Sequence, residues 1–244
     1  MINPDASRYF NEDYHYFTSR LHDNNLNEKD VDLICAILDI KPNMDLLDIG
    51  CGYGRISNLL ARKGIHVVGI DNNKKYLEYA INAAEALGVK VSYRTGDMRN
   101  LELYDSFDRV LLWFNSFGYF PDIENNLVLT GAFNALRKGG FLLLDLMNRD
   151  GVVSSLPRDY VLELGNNLEI HRHRFDSVTS NLIADRIVVI NGEVRRSSYV
   201  IRLYTFAEVK QNLLNSGFNE VRVYGNLNEP FTSRSGRMLV VANK

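Results

Sequence analysis

The chain reads as an α/β protein: a parallel, doubly wound sheet that carries a small antiparallel β insertion late in its length. Apolar runs of strand length alternate with helical periods as far as Leu146, and a glycine-rich turn joins the first strand to its helix. Beyond Leu146 the pattern changes to the alternation of half-buried strands. Of 244 residues, 45% are hydrophobic and 24% charged, which supplies a core and excludes disorder.

Residues 28–40 place apolar side chains at helical spacing, 44–49 form an apolar strand, and 55–63 are helical again. The second strand covers 65–70, and a helix over 73–87 is closed by Gly88. Strands follow over 89–94 and 107–112. A helix over 123–138 is stopped by Gly139 and Gly140, and 141–146 is the fifth strand. Three antiparallel strands are expected over 168–175, 182–190 and 194–203, with Asn191-Gly192 as a type I′ turn. Thr205 with Glu208 makes a capping box for a helix to Ser216, ended by Gly217. The last two strands cover 221–224 and 237–242.

The formal charge is −2, from 28 basic and 30 acidic residues, so no global positive field gathers phosphate backbones and nucleic acid is not expected as a partner. Cys35 and Cys51 lack the spacing of a zinc site or a disulfide framework and suit a reducing cytoplasm. The first residues show no basic region followed by an apolar run, and VLLWF and FLLL are too short to span lipid. The expectation is a cytoplasmic protein with no membrane partner.

In LLDIGCGYGR an apolar strand ends at Asp48, and Gly50, Cys51, Gly52, Tyr53 and Gly54 turn into a helix. Alternate glycines let the backbone approach a ligand. Asp71 ends the second strand, where a carboxylate accepts from two ribose hydroxyls. Together these read as a nucleoside-binding crevice, against the alternative of a plain tight turn with Asp71 as a helix cap. A dinucleotide fingerprint would place its third glycine at position 55, which is arginine.

DIGCGYGR, GID, TGDM and LRKGGFLLLD, in that order, resemble the motifs of the class I S-adenosylmethionine-dependent methyltransferases. EDYHYF, WFNSFGYF, DLMNRD and IRLYT resemble the small-molecule branch, which has an N-terminal lid helix and a β insertion after strand five. The resemblance implies a Rossmann-like seven-stranded sheet of order 3-2-1-4-5-7-6 with strand seven antiparallel. It implies one domain over 1–244: a helical lid at 1–40, a cofactor-binding half at 41–150, the insertion at 160–204 and a C-terminal helix with two strands at 205–244. The cofactor implied is S-adenosylmethionine, leaving as S-adenosylhomocysteine. It would be bound by Tyr14, Asp48, Gly50, Cys51, Gly52, Tyr53, Asp71, Asn72, Asp97, Met98, Trp113 and Asn115. Asp71 would hold the ribose, Asp97 and Met98 would border adenine, and Tyr14, with Tyr16 as a second choice, would close over the sulfonium.

The loop after strand four, residues 113–120, leaves the carboxyl edge of the sheet and is rich in aromatic residues. Asn115, Phe117, Tyr119 and Phe120 are therefore acceptor-pocket candidates, although each ring is equally a core filler. HRHRF puts His171 and His173 on one strand face and Arg172 and Arg174 on the other, offering a base if the acceptor needs one. Tyr119, His173, His171 and Tyr14 are the catalytic candidates, while Arg149, Arg202 and Tyr204 join Asn115, Tyr119 and Phe120 for the substrate. The histidine strand serves either as a roof, a solvated face or a homodimer contact. No metal is expected, since no carboxylate or cysteine was found at ligand spacing around those histidines.

No N-P-P-[FY] follows strand four, no Pro-Cys pair offers a thiolate, and that loop carries no paired glutamates. A small molecule remains as acceptor, methylated on O or N by in-line displacement with proximity and desolvation dominating. The rivals are an NAD-dependent oxidoreductase and a protein that binds S-adenosylmethionine without transferring its methyl group.

Overall fold

The structure is a computed structural model that describes residues 6–21, 24–156, 159–226 and 229–244; the first five residues of the expected lid lie outside these. Three helices lead the chain: α1 (Ala6–Tyr9), α2 (Glu12–Leu21) and α3 (Asn24–Ile37). Then come β1 (Asp45–Ile49), α4 (Arg55–Arg62), β2 (His66–Asp71), α5 (Lys74–Leu87), β3 (Val91–Thr95), β4 (Phe107–Leu112), α6 (Asp122–Ala135) and β5 (Leu136–Met147). A short α7 (Arg149–Ser154) leads into β6 (Tyr160–Leu164), β7 (Asn167–Asp176), β8 (Asn181–Ile190) and β9 (Glu193–Arg202). The chain closes with α8 (Phe206–Asn215), β10 (Glu220–Asn226), β11 (Glu229–Pro230) and β12 (Arg237–Asn243).

The main sheet has the order β11-β10-β12-β5-β4-β1-β2-β3. β1 through β5 pair in parallel, and β12 runs antiparallel between β5 and β10. With the insertion set aside this is the expected order, with the two-residue β11 added at the edge. The apolar runs are continuous because both faces are covered. Leu47, Val110, Leu112, Leu142 and Leu144 face α6 and α8, whereas Leu46, Leu111 and Leu143 face α3 and α4, all at 0% exposure. Period-two alternation within each strand thus feeds two cores, and the strand ends are left to carry the site.

Two expectations are corrected. The helix expected to reach Lys138 stops at Ala135, because Leu136 turns extended (φ −71°, ψ 141°) and pairs with Phe107 to open β5. The insertion has four strands rather than three: β6 pairs with β7, Tyr160 opposite His171. β6 escaped notice because it is an edge strand exposed along most of its length, without an alternating apolar face. Asn191 and Gly192 take positive φ (52° and 83°), as a type I′ turn requires. The capping box at Thr205 is present with both of its hydrogen bonds. No helix among the described residues is long and apolar enough to cross a membrane.

Candidate active site

The turn after β1 is built by backbone hydrogen bonds to β2. Gly50 N and Cys51 N both donate to Ile70 O (2.8 and 3.1 Å), and Gly52 N donates to Asp71 Oδ2 (2.8 Å). Gly52 sits at φ +55° with nothing within 4 Å of a built Cβ, so a side chain there would occupy the crevice itself. At Gly54 (φ +77°) a Cβ would lie 2.3 Å from Tyr93 Oη and 2.7 Å from Ala80 Cβ, so only glycine lets α4 start this close to the sheet. Asp71 Oδ1 also accepts from Asn73 N (2.8 Å). Burial raises the Asp71 carboxyl above its usual range while three backbone N–H groups oppose the rise. Each oxygen keeps lone-pair capacity for a hydroxyl.

Asp48 lies beneath this turn at 3% exposure, its Oδ2 accepting from Ser57 Oγ (2.5 Å), and burial pushes its carboxyl up to about 6. The Cys51 thiol is also buried, and desolvation raises it well above its ordinary value. Met98 closes over the turn, its Cε 3.5 Å from a Cβ built on Gly50, while Asn72 is exposed beside Asp71. The Asp97 carboxylate pairs with Arg99, which donates from Nε at 3.0 Å and holds that carboxyl below its usual range.

Phe114 and Asn115 both adopt left-handed backbone (φ 58° and 61°) at the end of β4. Such strain persists where surroundings over-determine it. Here Phe114 N donates to Asp145 Oδ2 (2.8 Å) and Asn115 N to Asp145 O (3.0 Å). Arg237 grips the Asp145 carboxylate with Nε and Nη2 (2.9 and 2.6 Å) and stacks 4.3 Å above Trp113. Trp113, expected at the cofactor, is instead a buried ring whose Nε1 donates to Asp30 Oδ2 (3.1 Å).

Three polar atoms around this corner are buried without a hydrogen-bond partner: Tyr53 Oη, Arg55 Nη2 and Asn115 Oδ1. Arg55 Nη1 meets Asn27 (2.8 Å) and Asp30 (3.2 Å), and its guanidinium lies 4.8 Å from the Phe114 ring. Two donors for a carboxylate and one acceptor for an ammonium suit the amino-acid end of S-adenosylmethionine. Arg55 escaped the sequence reading because position 55 was weighed only as a missing glycine.

Beside this corner opens a cavity of ≈ 360 Å³ between the lid, the β4 loop and the insertion. Tyr14, Asn115, Tyr119, His171 and His173 line it, together with Tyr9, Phe10, Glu169 and Tyr199, which the sequence reading missed. A second cavity of ≈ 300 Å³ shares Phe114, Asn115 and Met147 with the first. Tyr14 and Tyr119 are raised by burial, so both hydroxyls keep their protons at neutral pH. Tyr16 is drawn off to the insertion, its hydroxyl accepting from Asn167 Nδ2 (2.8 Å).

The remaining substrate candidates stand elsewhere. Arg149 donates to Ser180 Oγ (3.3 Å) and pairs with Asp150. Arg202 binds Glu208 (2.7 Å), and Tyr204 is a core residue whose hydroxyl donates to Asp122 Oδ1 (2.6 Å). Phe117 packs on Tyr204, and Phe120 lies under Arg99, 4.4 Å from its guanidinium. For Arg202 and Tyr204 the closer partners come from α8 and α6. Contrary to the sequence reading, a carboxylate does stand beside the histidines: Glu169 precedes His171 by one strand period, on the same face.

A doubly wound sheet with an antiparallel strand at one side, a glycine turn answered by an acidic residue on β2, and a covering insertion is the class I S-adenosylmethionine-dependent methyltransferase fold, and the described chain has it. Residues 46–140 match the family model described as a methyltransferase domain. Over 105 residues the chain is 36% identical to a ubiquinone biosynthesis O-methyltransferase of Rhizobium etli, covering 43% of this chain and 41% of that protein. A solved S-adenosylmethionine-dependent methyltransferase from Clostridium acetobutylicum superposes with TM-score 0.82 at 16% identity, over 94% of this chain and 98% of that one. The sugar N-methyltransferase KedS8 from a Streptoalloteichus species superposes with TM-score 0.69 at 18% identity, over 94% and 91%.

Proposed function

We propose that this chain transfers the methyl group of S-adenosylmethionine to an oxygen or nitrogen of a small molecule held in the aromatic cavity. One observation carries the reading: the Gly52–Asp71 cradle and the unpartnered polar atoms of Tyr53 and Arg55 stand behind a cavity that Tyr14 and Asn115, itself carrying an unpartnered oxygen, line together with the insertion. Asp71 would take the ribose hydroxyls, and Arg55 with Tyr53 the methionyl carboxylate. The bound sulfonium supplies an electrophilic methyl group.

The chain's own contribution is placement and dryness. Tyr9, Phe10, Tyr14, Tyr119 and Tyr199 wall the cavity with aromatic rings, so the acceptor meets the methyl group in line and away from water. The lid is tied shut by Asn73 Nδ2 donating to Phe10 O and Tyr76 Oη donating to Asn11 O (2.8 Å each). His171 and His173 line the same cavity, where a proton leaving the acceptor can be taken up.

The matched relatives include one named for O-methylation and one for sugar N-methylation, which supports a small acceptor with a hydroxyl or amine. Incubation with methyl-labelled S-adenosylmethionine and a panel of catechols, aminosugars and polyamines, read by mass spectrometry, tests this. A labelled product that disappears in Asp71→Ala supports the reading; cofactor binding with no labelled product from any member of such panels contradicts it.

A further inference from the structure

Glu169, His171 and Tyr9 form a chain of polar groups that ends at the cavity. Tyr9 Oη stands 3.3 Å from His171 Nδ1, and His171 Nε2 stands 3.3 Å from Glu169 Oε2, a separation within ion-pair reach though off the alignment of a hydrogen bond. All three are buried, at 3%, 5% and 3% exposure for Tyr9, His171 and Glu169. The His171 ring is stacked on Tyr160 (4.5 Å) and parallel to His173, so its plane is fixed.

Arg186 secures both ends of this chain. Its Nη1 lies 3.4 Å from Glu169 Oε1, while Nη2 donates to Tyr9 O (2.6 Å) and Asn11 Oδ1 (3.0 Å), with the guanidinium 4.2 Å from the Tyr9 ring. The Glu169 side chain is held in place by Arg186, and an oxygen acceptor facing Nε2 selects the tautomer with the proton on Nε2. Nδ1 is then an acceptor, so the Tyr9 hydroxyl donates to it and keeps its oxygen lone pairs for a second partner, on a residue that lines the cavity.

We propose that Tyr9, His171 and Glu169 act as a proton relay for the acceptor, with Tyr9 the catalytic residue that touches it and His171 and Glu169 acting through Tyr9. The inference rests on the methyl-transfer reading above. As the methyl group moves, the acceptor's O–H or N–H bond gives its proton to Tyr9 Oη, and Tyr9's own proton passes to His171 Nδ1. The acceptor's electron pair forms the new bond to carbon, and the pair of the broken sulfur–carbon bond stays on sulfur. His171 holds the proton as imidazolium against Glu169 and returns it through Tyr9 to water after product leaves. Because Tyr9 belongs to α1 and the other two to β7, the relay exists only with the lid closed.

The test uses the full chain labelled with ¹⁵N-histidine and saturated with S-adenosylhomocysteine, its binding measured by calorimetry on the same preparation. The wild type is expected to show His171 as the Nε2–H tautomer with Nδ1 accepting a hydrogen bond; Tyr9→Phe abolishes that bond and leaves S-adenosylhomocysteine affinity within about threefold. For any acceptor that the wild type methylates, Tyr9→Phe and Glu169→Gln lower kcat by about 100-fold, the scale of general-base catalysis. Wild-type His171 protonated on Nδ1, or unchanged by Tyr9→Phe, overturns the relay while cofactor binding stands. Failure of the wild type to bind S-adenosylhomocysteine overturns the transferase reading and the relay with it.

Discussion

The parallel half of the molecule and the antiparallel insertion solve burial in opposite ways. In the half formed by β1 to β5 the inward positions are aliphatic, and chemistry is confined to strand ends, where backbone N–H groups and Asp71 point outward. In the insertion the inward face of β7 carries Glu169, His171 and His173, and β8 sets Arg186 at 1% exposure against them. A dry core leaves its polar groups at the edge, whereas a polar wall commits the insertion to an arrangement in which Arg186 is paired with Glu169.

The sharpest way to break this contrast is Glu169→Gln, which leaves the Arg186 charge buried without compensation and should destabilise by about 3 to 5 kcal/mol in denaturant unfolding. Replacing both partners, Glu169→Leu with Arg186→Met, should restore much of that loss. A single variant within about 0.5 kcal/mol of wild type would show that the wall does not depend on its charges. On the other side of the comparison, Asp71→Ala should weaken S-adenosylhomocysteine by about 2 to 4 kcal/mol through lost charge-assisted hydrogen bonds, with the melting temperature of the free protein moved far less than in Glu169→Gln.

Asp48 gives a pH signature to the parallel half. Its folded carboxyl titrates at about 6, above its unfolded value, so the stabilisation from binding its proton is full below about pH 4 and is lost as pH rises through 6. Thermal unfolding of the wild type from pH 4 to 7 should show that loss, about 2 to 3 kcal/mol, and Asp48→Asn should flatten it. The smallest effect is expected at a local feature shared by neither region: Thr205→Ala should cost about 1 kcal/mol by removing the cap of α8.

Most of the parallel half was legible in the sequence because burial on both faces writes uninterrupted apolar runs, and the glycine turn with Asp71 writes a spacing. What was not legible depended on partners distant along the chain. Leu136 reads as helix until it is seen opposite Phe107. Arg202 and Tyr204 read as ligand groups until Glu208 and Asp122 are found beside them. Trp113 reads as a cofactor wall, yet Asp30 and Arg237 claim it from α3 and β12. Glu169 alone had a readable signal: it lies one strand period before His171, and strand periodicity places both on one face.

Calorimetric titration of the purified chain with S-adenosylhomocysteine, with NADH as the comparison ligand, separates a methyl-donor crevice from a dinucleotide site. Micromolar binding of S-adenosylhomocysteine, about −8 kcal/mol, and none of NADH is the expected result. Binding of NADH alone, or of neither, would contradict it and leave only the fold.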